Sequence, residues 1–331
     1  METFPAFVVE KQGDSVHRQW QTITLAQLPP GDVVVDVQYS ALNYKDALAA
    51  TGHPGVARAF PLVPGIDAVG TVVQGSAEWS VGTPVQVAHA KFGTEVWGGY
   101  SRRIRVPHDW LLPIPDPLTP LQAIAIGTAG FTAAQCVLSL QRHGIQPAAG
   151  EIVVSGATGG VGCFAVRMLA QLGYDVAAVT GKSDQAAWLK NLGARRILGR
   201  EAVDDRSTRP LLAGSWSGAV DTVGGNTLAT IIRQTQPGGC VTACGVVAGA
   251  DLPLTVYPFI LRGVQLSGID SAGISRQRRL EIWSRIAGDL NPGDLADVAS
   301  IIGRSQLEDR IQQILSGKIR GRIVVDLSRD E

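Results

Sequence analysis

A glycine-rich turn between an apolar strand and a helix-periodic segment constrains the fold of this chain more than any other feature. Residues 152–154 are Ile-Val-Val, and residues 155–162 read Ser-Gly-Ala-Thr-Gly-Gly-Val-Gly. Glycine allows a tight bend and lets the backbone approach a pyrophosphate, whose charge is favoured by the N-terminus of the following helix. We therefore predict a dinucleotide-binding turn. Its expected cofactor contacts are Thr158, Gly159, Gly160 and Val161.

The next predicted strand indicates which dinucleotide binds. Residues 176–179 (Val-Ala-Ala-Val) lead into Thr180, Gly181 and Lys182, where an NAD site usually carries an acidic residue. A hydroxyl and a cation at that position favour the 2′-phosphate of NADP. We therefore predict NADPH as the cofactor, with Thr180, Gly181 and Lys182 among its contacts.

Length, charge and cysteine content narrow the class of protein. At 331 residues the chain exceeds one ordinary domain, and its 29 basic residues balance its 29 acidic ones, which disfavours a nucleic-acid partner. The weakly polar stretch 118–140 carries threonines, glutamines and glycines, which favours a buried helix pair over a membrane span. Four scattered cysteines and an amino terminus without a secretory pattern predict a soluble cytoplasmic protein with reduced thiols.

The pattern of predicted secondary structure changes near residue 127. Before it, short alternating runs between turn signals predict a compact, partly open β-barrel-like domain. After it, strands alternate with helices, which predicts a doubly wound parallel sheet. Beyond residue 271 the pattern is mixed, and we expect this tail to complete the first domain. The predicted fold is α/β, with one domain at 1–126 and 272–331 and the other at 127–271.

Individual elements can be placed along the second part of the chain. The predicted strands lie at 152–155, 175–179, 195–198, 219–223, 240–244, 264–268 and 322–325. The predicted helices lie at about 160–172, 183–192, 276–288 and 306–315.

Several motifs, in order along the chain, resemble the medium-chain dehydrogenase/reductase superfamily on its zinc-free, quinone-oxidoreductase-like side. They are Ala-Leu-Asn-Tyr-Lys-Asp at 41–46, Pro-Gly-Ile-Asp-Ala-Val-Gly-Thr-Val at 64–72 and Trp-Gly-Gly-Tyr at 97–100. Narrower motifs are similar to the acrylyl-CoA reductase (NADPH) branch. These are Asp-Thr-Val-Gly at 221–224, Gly-Gly-Cys-Val at 238–241, Ala-Cys-Gly at 243–245, Pro-Phe-Ile-Leu-Arg-Gly-Val at 258–264 and Gly-Ile-Asp-Ser at 268–271.

The resemblance implies a GroES-like catalytic domain built from both chain ends, a central Rossmann domain, and an active site between them. It also implies dimers formed through the edge of the Rossmann sheet. Zinc-dependent relatives carry Gly-His-Glu where this chain has Gly65-Ile66-Asp67, and their lobe of four closely spaced cysteines is absent. We therefore expect no metal. We also expect Cys244, which has no recognisable histidine partner, to be a core thiol rather than a catalytic one.

The predicted catalytic residues are Asn43, Tyr44 and Asp46. On the residues alone, Asn43 caps a helix with Tyr44 packed beneath it, and Lys45 and Asp46 could form a structural pair. The resemblance places this turn beside the nicotinamide, so that Tyr44 contacts the cofactor and could donate a proton. A phenol with an unperturbed pKa of about 10 can donate but is no spontaneous base at neutral pH. Asp67 is expected in the internal polar network of the domain.

Four further cofactor contacts follow mainly from the resemblance. Arg200 follows the next strand, near the adenosine phosphate of the family, although a surface arginine would also fit that position. Val246 and Ile260 are expected to line the cofactor groove, and Ser271 to reach the nicotinamide side. The loop 88–97 differs from the glycine- and tryptophan-richer loop of this branch and is expected to edge the substrate cleft.

The resemblance implies an enzyme that transfers a hydride to a small molecule. The leading hypothesis is NADPH-dependent reduction of a short enoyl thioester, acrylyl-CoA to propionyl-CoA. The hydride goes to the β-carbon, and Tyr44 or water protonates the α-carbon. One alternative is the reduction of quinones or other activated alkenes, and another is a non-catalytic NADPH-binding sensor. A homodimer without membrane or nucleic-acid partners is expected.

Overall fold

The computed structural model describes residues 2–330, which form two compact units. Of the described residues, the terminal unit comprises 2–128, 272–287 and 294–330, and the central unit comprises 129–271 and 288–293. The first unit extends to Thr128, beyond the expected residue 126, because the amide and hydroxyl of Thr128 donate to Asp67. The catalytic and cofactor-binding roles of the two units stay predictions.

Strands and helices are numbered in chain order. The strands are β1 (Thr3–Gln12), β2 (Ser15–Thr24), β3 (Val33–Leu42), β4 (Ala68–Gln74), β5 (Pro84–Val87), β6 (Arg103–Val106), β7 (Leu111–Pro113), β8 (Ile152–Val154), β9 (Val176–Val179), β10 (Arg196–Leu198), β11 (Trp216–Asp221), β12 (Thr235–Ala243), β13 (Gln265–Gly268), β14 (Ala299–Ile302) and β15 (Arg322–Asp326). The α-helices are α1 (Tyr44–Ala50), α2 (Pro120–Arg142), α3 (Gly160–Gln171), α4 (Ala186–Asn191), α5 (Gly225–Gln234), α6 (Tyr257–Arg262), α7 (Arg276–Ala287) and α8 (Leu307–Leu315).

The terminal unit is built on an open sheet of seven strands. Its order is β14-β15-β3-β4-β5-β7, and β6 also pairs with β3. Among the described residues the end strands β14 and β7 do not pair with each other, so the barrel is partly open, as predicted. Val33, Val35 and Val37 lie on one face of β3 and are fully buried in the core of this unit. Burying one such valine contributes about 1.5–3 kcal/mol.

The tail of the chain lies beside the strand that leads to the predicted catalytic turn. β15 is antiparallel to β3, with Ile323 opposite Leu42 and Val324 opposite Ala41. β14 is the parallel neighbour of β15. The tail therefore completes the sheet of the terminal unit, and the first residue of β15 comes next to the end of β3.

Helix α2 is long and apolar, and it is broken at Gly127. By length and composition it could cross a membrane, yet 94% of its apolar window is buried inside the protein. Gly127 has φ 46° and ψ −154°, a conformation that only glycine adopts readily. The stretch 118–140 is therefore a pair of buried helical segments, as its threonines, glutamines and glycines predict.

The central unit contains a six-stranded parallel sheet with the order β10-β9-β8-β11-β12-β13. Helices α3, α4, α5 and α6 connect successive strands. This is the strand order of doubly wound dinucleotide-binding domains, which confirms the predicted Rossmann fold. The order reverses between β8 and β11, and ligands of such sheets bind at the carboxyl ends of the strands near that point.

Candidate active site

The turn predicted to be catalytic connects β3 to α1 and is held by Asp46. The fully buried Asp46 carboxyl accepts two hydrogen bonds from Asn43 through Oδ2, one from the backbone N–H (2.8 Å) and one from the side-chain amide (3.0 Å). Its Oδ1 accepts from the backbone N–H groups of Gly65 (3.1 Å) and Ile66 (2.8 Å). Asp46 thus ties the start of α1 to the loop before β4. The described structure contains no pair between Asp46 and Lys45, because Lys45 is exposed.

Asn43 links this turn to a second carboxylate and to a buried guanidinium. Its Nδ2 donates to Asp67 Oδ2 at 2.8 Å, and its Oδ1 accepts from Arg322 Nη1 at 2.8 Å. Arg322 is 3% exposed, its Nη2 lies 3.5 Å from Asp67 Oδ2, and its Nε donates to the Ala125 carbonyl at 3.0 Å. The sequence pattern did not single out Arg322. An arginine directly before the apolar run Ile-Val-Val of β15 was the available signal, because such a side chain needs buried partners.

Asp67 occupies the centre of this polar network, as expected. Besides the Asn43 amide, it accepts from the backbone N–H of Thr128 at 3.0 Å and from the Thr128 hydroxyl at 2.6 Å. Burial raises the pKa of Asp46 from 3.8 to about 6; the bond from Asn43 opposes this shift, and the charge of Asp67 adds to it. A carboxyl with such a pKa can hold or release a proton near neutral pH.

Tyr44 is the first residue of α1 and is 36% exposed. It therefore does not pack beneath the turn, which corrects that expectation from the sequence. Its side chain is accessible to a ligand, whereas Asp46 two residues later is closed to solvent. Asp46 therefore cannot contact a substrate directly. It can influence a reaction at this turn only by holding the turn in place or by exchanging a proton through a neighbouring residue.

The glycine turn of the central unit leaves the N-terminus of α3 available to an anion. Gly159 precedes the helix, and among the described residues no side chain caps it and no acidic residue lies in its first turn. Gly156 has φ +59°, and a Cβ there would collide with the Thr222 hydroxyl. The N–H groups at a helix start and the helix dipole favour negative charge. These residues fit the diphosphate of a dinucleotide.

A cleft of about 650 Å³ lies at the carboxyl ends of β9 and β10. It is lined by Thr180, Gly181, Ser183, Ala186, Ile197, Leu198, Gly199, Arg200 and Glu201. The Thr180 hydroxyl lies 3.4 Å from the Thr158 hydroxyl and accepts from the Lys182 backbone N–H at 3.0 Å. The Arg200 guanidinium lies against Gly181, where a Cβ would meet it.

The two cations predicted near the adenosine phosphate influence each other. Burial lowers the pKa of Lys182; Asp184 opposes this shift, and the positive charge of Arg200 adds to it. An anion beside both cations would relieve that repulsion, so these residues fit a 2′-phosphate. Glu201, which the sequence did not single out, also lines the cleft and disfavours an anion there.

The remaining predicted residues are spread over the central unit. Val246 follows β12 and Ile260 lies on α6, and they are 66% and 71% exposed. Ser271 follows β13 and is half-buried. The lining of the cleft includes none of these three residues. Their roles stay predictions.

Cys244 lies at the carboxyl end of β12, and its thiol donates to the Asp221 carbonyl at 3.4 Å. Its hydrogen bond with Cys136 and its burial raise the pKa of the Cys244 thiol far above its ordinary value. The nucleophilic form of a cysteine is the thiolate. The raised pKa therefore supports a core thiol rather than a nucleophile.

Comparisons with known proteins identify the family. Residues 29–116 match alcohol dehydrogenase GroES-like domains, and residues 160–287 match zinc-binding dehydrogenases. Over 328 residues the chain is 44% identical to acrylyl-CoA reductase AcuI of Ruegeria pomeroyi, covering 98% of this chain and 99% of that protein. The chain belongs to the medium-chain dehydrogenase/reductase superfamily. It is therefore an oxidoreductase by family.

Two solved structures of the superfamily are similar over nearly the whole chain. The yhdH oxidoreductase from Salmonella enterica, in complex with NADP, has a TM-score of 0.93 and 44% identity, covering 97% of this chain and 99% of that one. The Bacillus subtilis protein yhfP, with NAD bound, has a TM-score of 0.95 and 41% identity, covering 98% and 100%. YhfP is named a putative quinone oxidoreductase.

The family description as zinc-binding raises the question of a metal site. The described residues contain no group of three or more His, Cys, Asp or Glu side chains that could hold a metal ion. Ile66 contributes only its backbone N–H to the network, and Asp67 accepts bonds from Asn43 and Thr128. This donor set does not fit zinc. That the protein binds no metal stays a prediction.

The raised pKa of Asp46 predicts a pH-dependent stability. Since the folded protein holds this proton more tightly than the unfolded chain, the free energy of unfolding should fall as the pH rises from about 4 to 6. The pKa shift from 3.8 to about 6 limits this loss to about 3 kcal/mol. Asp46→Asn removes the titrating group, so urea unfolding at a series of pH values should show a flatter profile.

Asp205→Asn is the control, because the pKa of Asp205 is shifted in the opposite direction to that of Asp46. Hydrogen bonds from Ser207 lower the pKa of Asp205 below 3.8. Its contribution to stability is therefore lost below that pH, and the slope between pH 4 and 6 should match that of the wild type. An unchanged slope in Asp46→Asn would contradict a proton held on Asp46.

Proposed function

We propose that this chain is an NADPH-dependent reductase of short enoyl thioesters, with acrylyl-CoA as the substrate. The observation that carries the proposal is the segment after β9, where Thr180 and Lys182 stand in place of the acidic residue of an NAD site, and where Thr180 and Arg200 line the cleft. The name of the Ruegeria relative and the NADP in the Salmonella structure support the same cofactor and substrate class.

The binding residues follow from the chemistry of the cofactor. The N-terminus of α3 and the turn containing Thr158, Gly159, Gly160 and Val161 would bind the diphosphate. Thr180, Gly181, Lys182 and Arg200 would surround the 2′-phosphate. NADPH, when bound, supplies the hydride for the β-carbon of the substrate. Val246, Ile260 and Ser271 are proposed as further contacts along the dinucleotide.

The catalytic turn would position a proton donor. As the β-carbon is reduced, negative charge develops on the thioester oxygen, and the α-carbon then takes up a proton. The accessible Tyr44 hydroxyl is the proposed donor, with water as the alternative. Asn43 and Asp46 would fix the turn, because they join it to Gly65, Ile66 and Arg322.

The loop 88–97 is proposed to influence the choice of substrate. Gly93 approaches the backbone of Gly65 so closely that a Cβ would touch it, and Gly65 in turn bonds Asp46. His89 stacks on Trp110 with ring centroids 3.9 Å apart. This loop is therefore fixed against the same segment that holds the catalytic turn.

Quinone or activated-alkene reduction is the second candidate, favoured by the name given to YhfP. The hydride step would be the same, but a quinone takes its proton on oxygen rather than on carbon. A quinone reductase would therefore need no donor at an α-carbon.

We also propose a homodimer. Strand β13 lies at the end of the six-stranded sheet. Nearby on α6 and β13, Leu261 and Leu266 are 62% and 38% exposed. A second copy could extend the sheet and cover these side chains. A solution mass of 34.9 kDa, that of one chain, would contradict the homodimer.

The cytoplasmic location stays a prediction.

The cofactor pocket predicts a change in NADPH/NADH selectivity. Lys182→Ala removes one charge-assisted contact and should raise the Kd for NADPH about tenfold, while the Kd for NADH changes little. Thr180→Asp adds a carboxylate that repels the 2′-phosphate and should reverse the preference. Fluorescence titration with both cofactors measures the two Kd values.

Two variants serve as controls for this pocket. Glu201→Gln removes the carboxylate from the lining of the cleft and should shift selectivity towards NADPH. Lys190→Ala removes an exposed lysine from α4, away from the segment 180–182 and from the lining of the cleft, and should leave both Kd values unchanged. Equal NADPH/NADH ratios in the wild type, Lys182→Ala and Thr180→Asp would rule out this pocket.

The substrate is tested by NADPH oxidation with acrylyl-CoA, crotonyl-CoA and a simple benzoquinone. We expect kcat/KM for acrylyl-CoA to exceed that for the quinone by at least about tenfold, which corresponds to about 1.4 kcal/mol of transition-state discrimination. A preference for the quinone would favour the second candidate. NADPH binding without turnover of any substrate would favour a sensor.

The same assay tests the proton donor. Tyr44→Phe keeps the ring and removes the hydroxyl, so kcat for acrylyl-CoA should fall about 100-fold if Tyr44 donates. The variant should retain its quinone activity, which serves as the internal control. A change in kcat for acrylyl-CoA of less than about threefold would assign protonation to water.

A further inference from the structure

Asp221, at the end of β11, is a buried carboxyl that forms no ion pair within the described part of the chain. It is fully buried, and burial raises its pKa. A buried carboxylate is costly unless donors satisfy it. Here Oδ1 accepts from the Ser155 hydroxyl at 2.6 Å, and Oδ2 accepts from the Gly224 backbone N–H at 2.8 Å. The proposed reaction assigns no role to this residue.

These bonds join the turns that follow three neighbouring strands, β8, β11 and β12. The Ser155 hydroxyl accepts from the Thr222 backbone N–H at 3.0 Å, and the Ser155 carbonyl accepts from the Thr222 hydroxyl at 2.9 Å. The Asp221 carbonyl accepts from the Cys244 N–H at 3.0 Å. The turns are so close that a Cβ at Gly156 would collide with Thr222. Asp221 therefore lies at the centre of a hydrogen-bond network that connects these three turns.

The Asp221 carboxylate lies at the start of α5 but not at the start of α3, so the two helices differ in their capacity to bind a further anion. Gly224 directly precedes α5, so the Asp221 carboxylate already occupies the anion-favouring end of that helix. The start of α3 has no such internal anion among the described residues. Of these two helices, α3 is the one left open to a ligand anion.

We propose that Asp221 is a positioning residue for the dinucleotide, which holds the glycine turn 155–162 in the shape that binds the diphosphate. The inference rests on the proposed cofactor site. It concerns, however, the part of the molecule that NADPH and NADH share, so it predicts an effect different from that of the 2′-phosphate pocket.

The test measures binding of NADPH and NADH to the full chain by fluorescence titration. Asp221→Asn places an amide where two donors need acceptors, and it should raise both Kd values about tenfold while leaving their ratio unchanged. At saturating NADPH, kcat should change less than about twofold. Thr222→Val keeps the volume and removes one bond, so it should raise both Kd values about threefold.

Asp205→Asn is the matched control, because Asp205 accepts from Arg233 and Ser207 in the same unit and none of its described hydrogen bonds reaches the glycine turn 155–162. It should lower the melting temperature without changing either Kd. Unchanged cofactor binding in Asp221→Asn, or a loss confined to NADPH, would overturn the proposal. If Asp221→Asn does not fold, Thr222→Val and Ser155→Ala decide by the same criterion. These titrations need no substrate, so a wrong assignment of acrylyl-CoA would not affect them.

Discussion

The guanidinium of Arg322 is the positive charge on which the polar turn of the terminal unit depends. Asp46 and Asp67 are both buried beside Asn43, and uncompensated burial of a carboxylate costs several kcal/mol. Arg322 reaches Asn43 and Asp67 from the first position of β15. Since this charge comes from the last strand, the turn requires β15 to pair with β3. That requirement explains why both ends of the chain belong to one unit.

Local patterns predicted most of the central unit. Glycine turns and alternating strands and helices are short-range signals, and the expected helix at 160–172 differs by one residue from α3. β12 begins at Thr235 rather than 240, because Thr235 already pairs with Trp216; the register then shifts before Cys240 pairs with Gly218, and the turn-like residues Pro237, Gly238 and Gly239 form that irregularity, with Gly238 at φ 75°. β14 was missed, since four residues with two exposed side chains give little periodic signal.

The candidate site was only partly predictable for a different reason. Asn43, Tyr44 and Asp46 form one motif, and Thr180, Gly181 and Lys182 form another, so each could be found from neighbouring residues. Arg322 is 279 residues away from Asn43 in sequence, and no local pattern connects the two. Glu201 was overlooked because its effect depends on the cleft formed by β9 and β10. Long-range charge pairing is a property of the folded chain.

Gly127 gives the network of Asp67 a donor from the main chain. In an uninterrupted helix the amide of Thr128 would bond the carbonyl four residues earlier. The break releases that amide, and it donates to both carboxylate oxygens of Asp67, at 3.0 and 3.1 Å. If α2 were an uninterrupted helix, the buried Asp67 carboxylate would therefore lose the hydrogen bond from this N–H. At this one glycine the helix loses a regular hydrogen bond, and the freed backbone N–H solvates the buried carboxylate as a water molecule would.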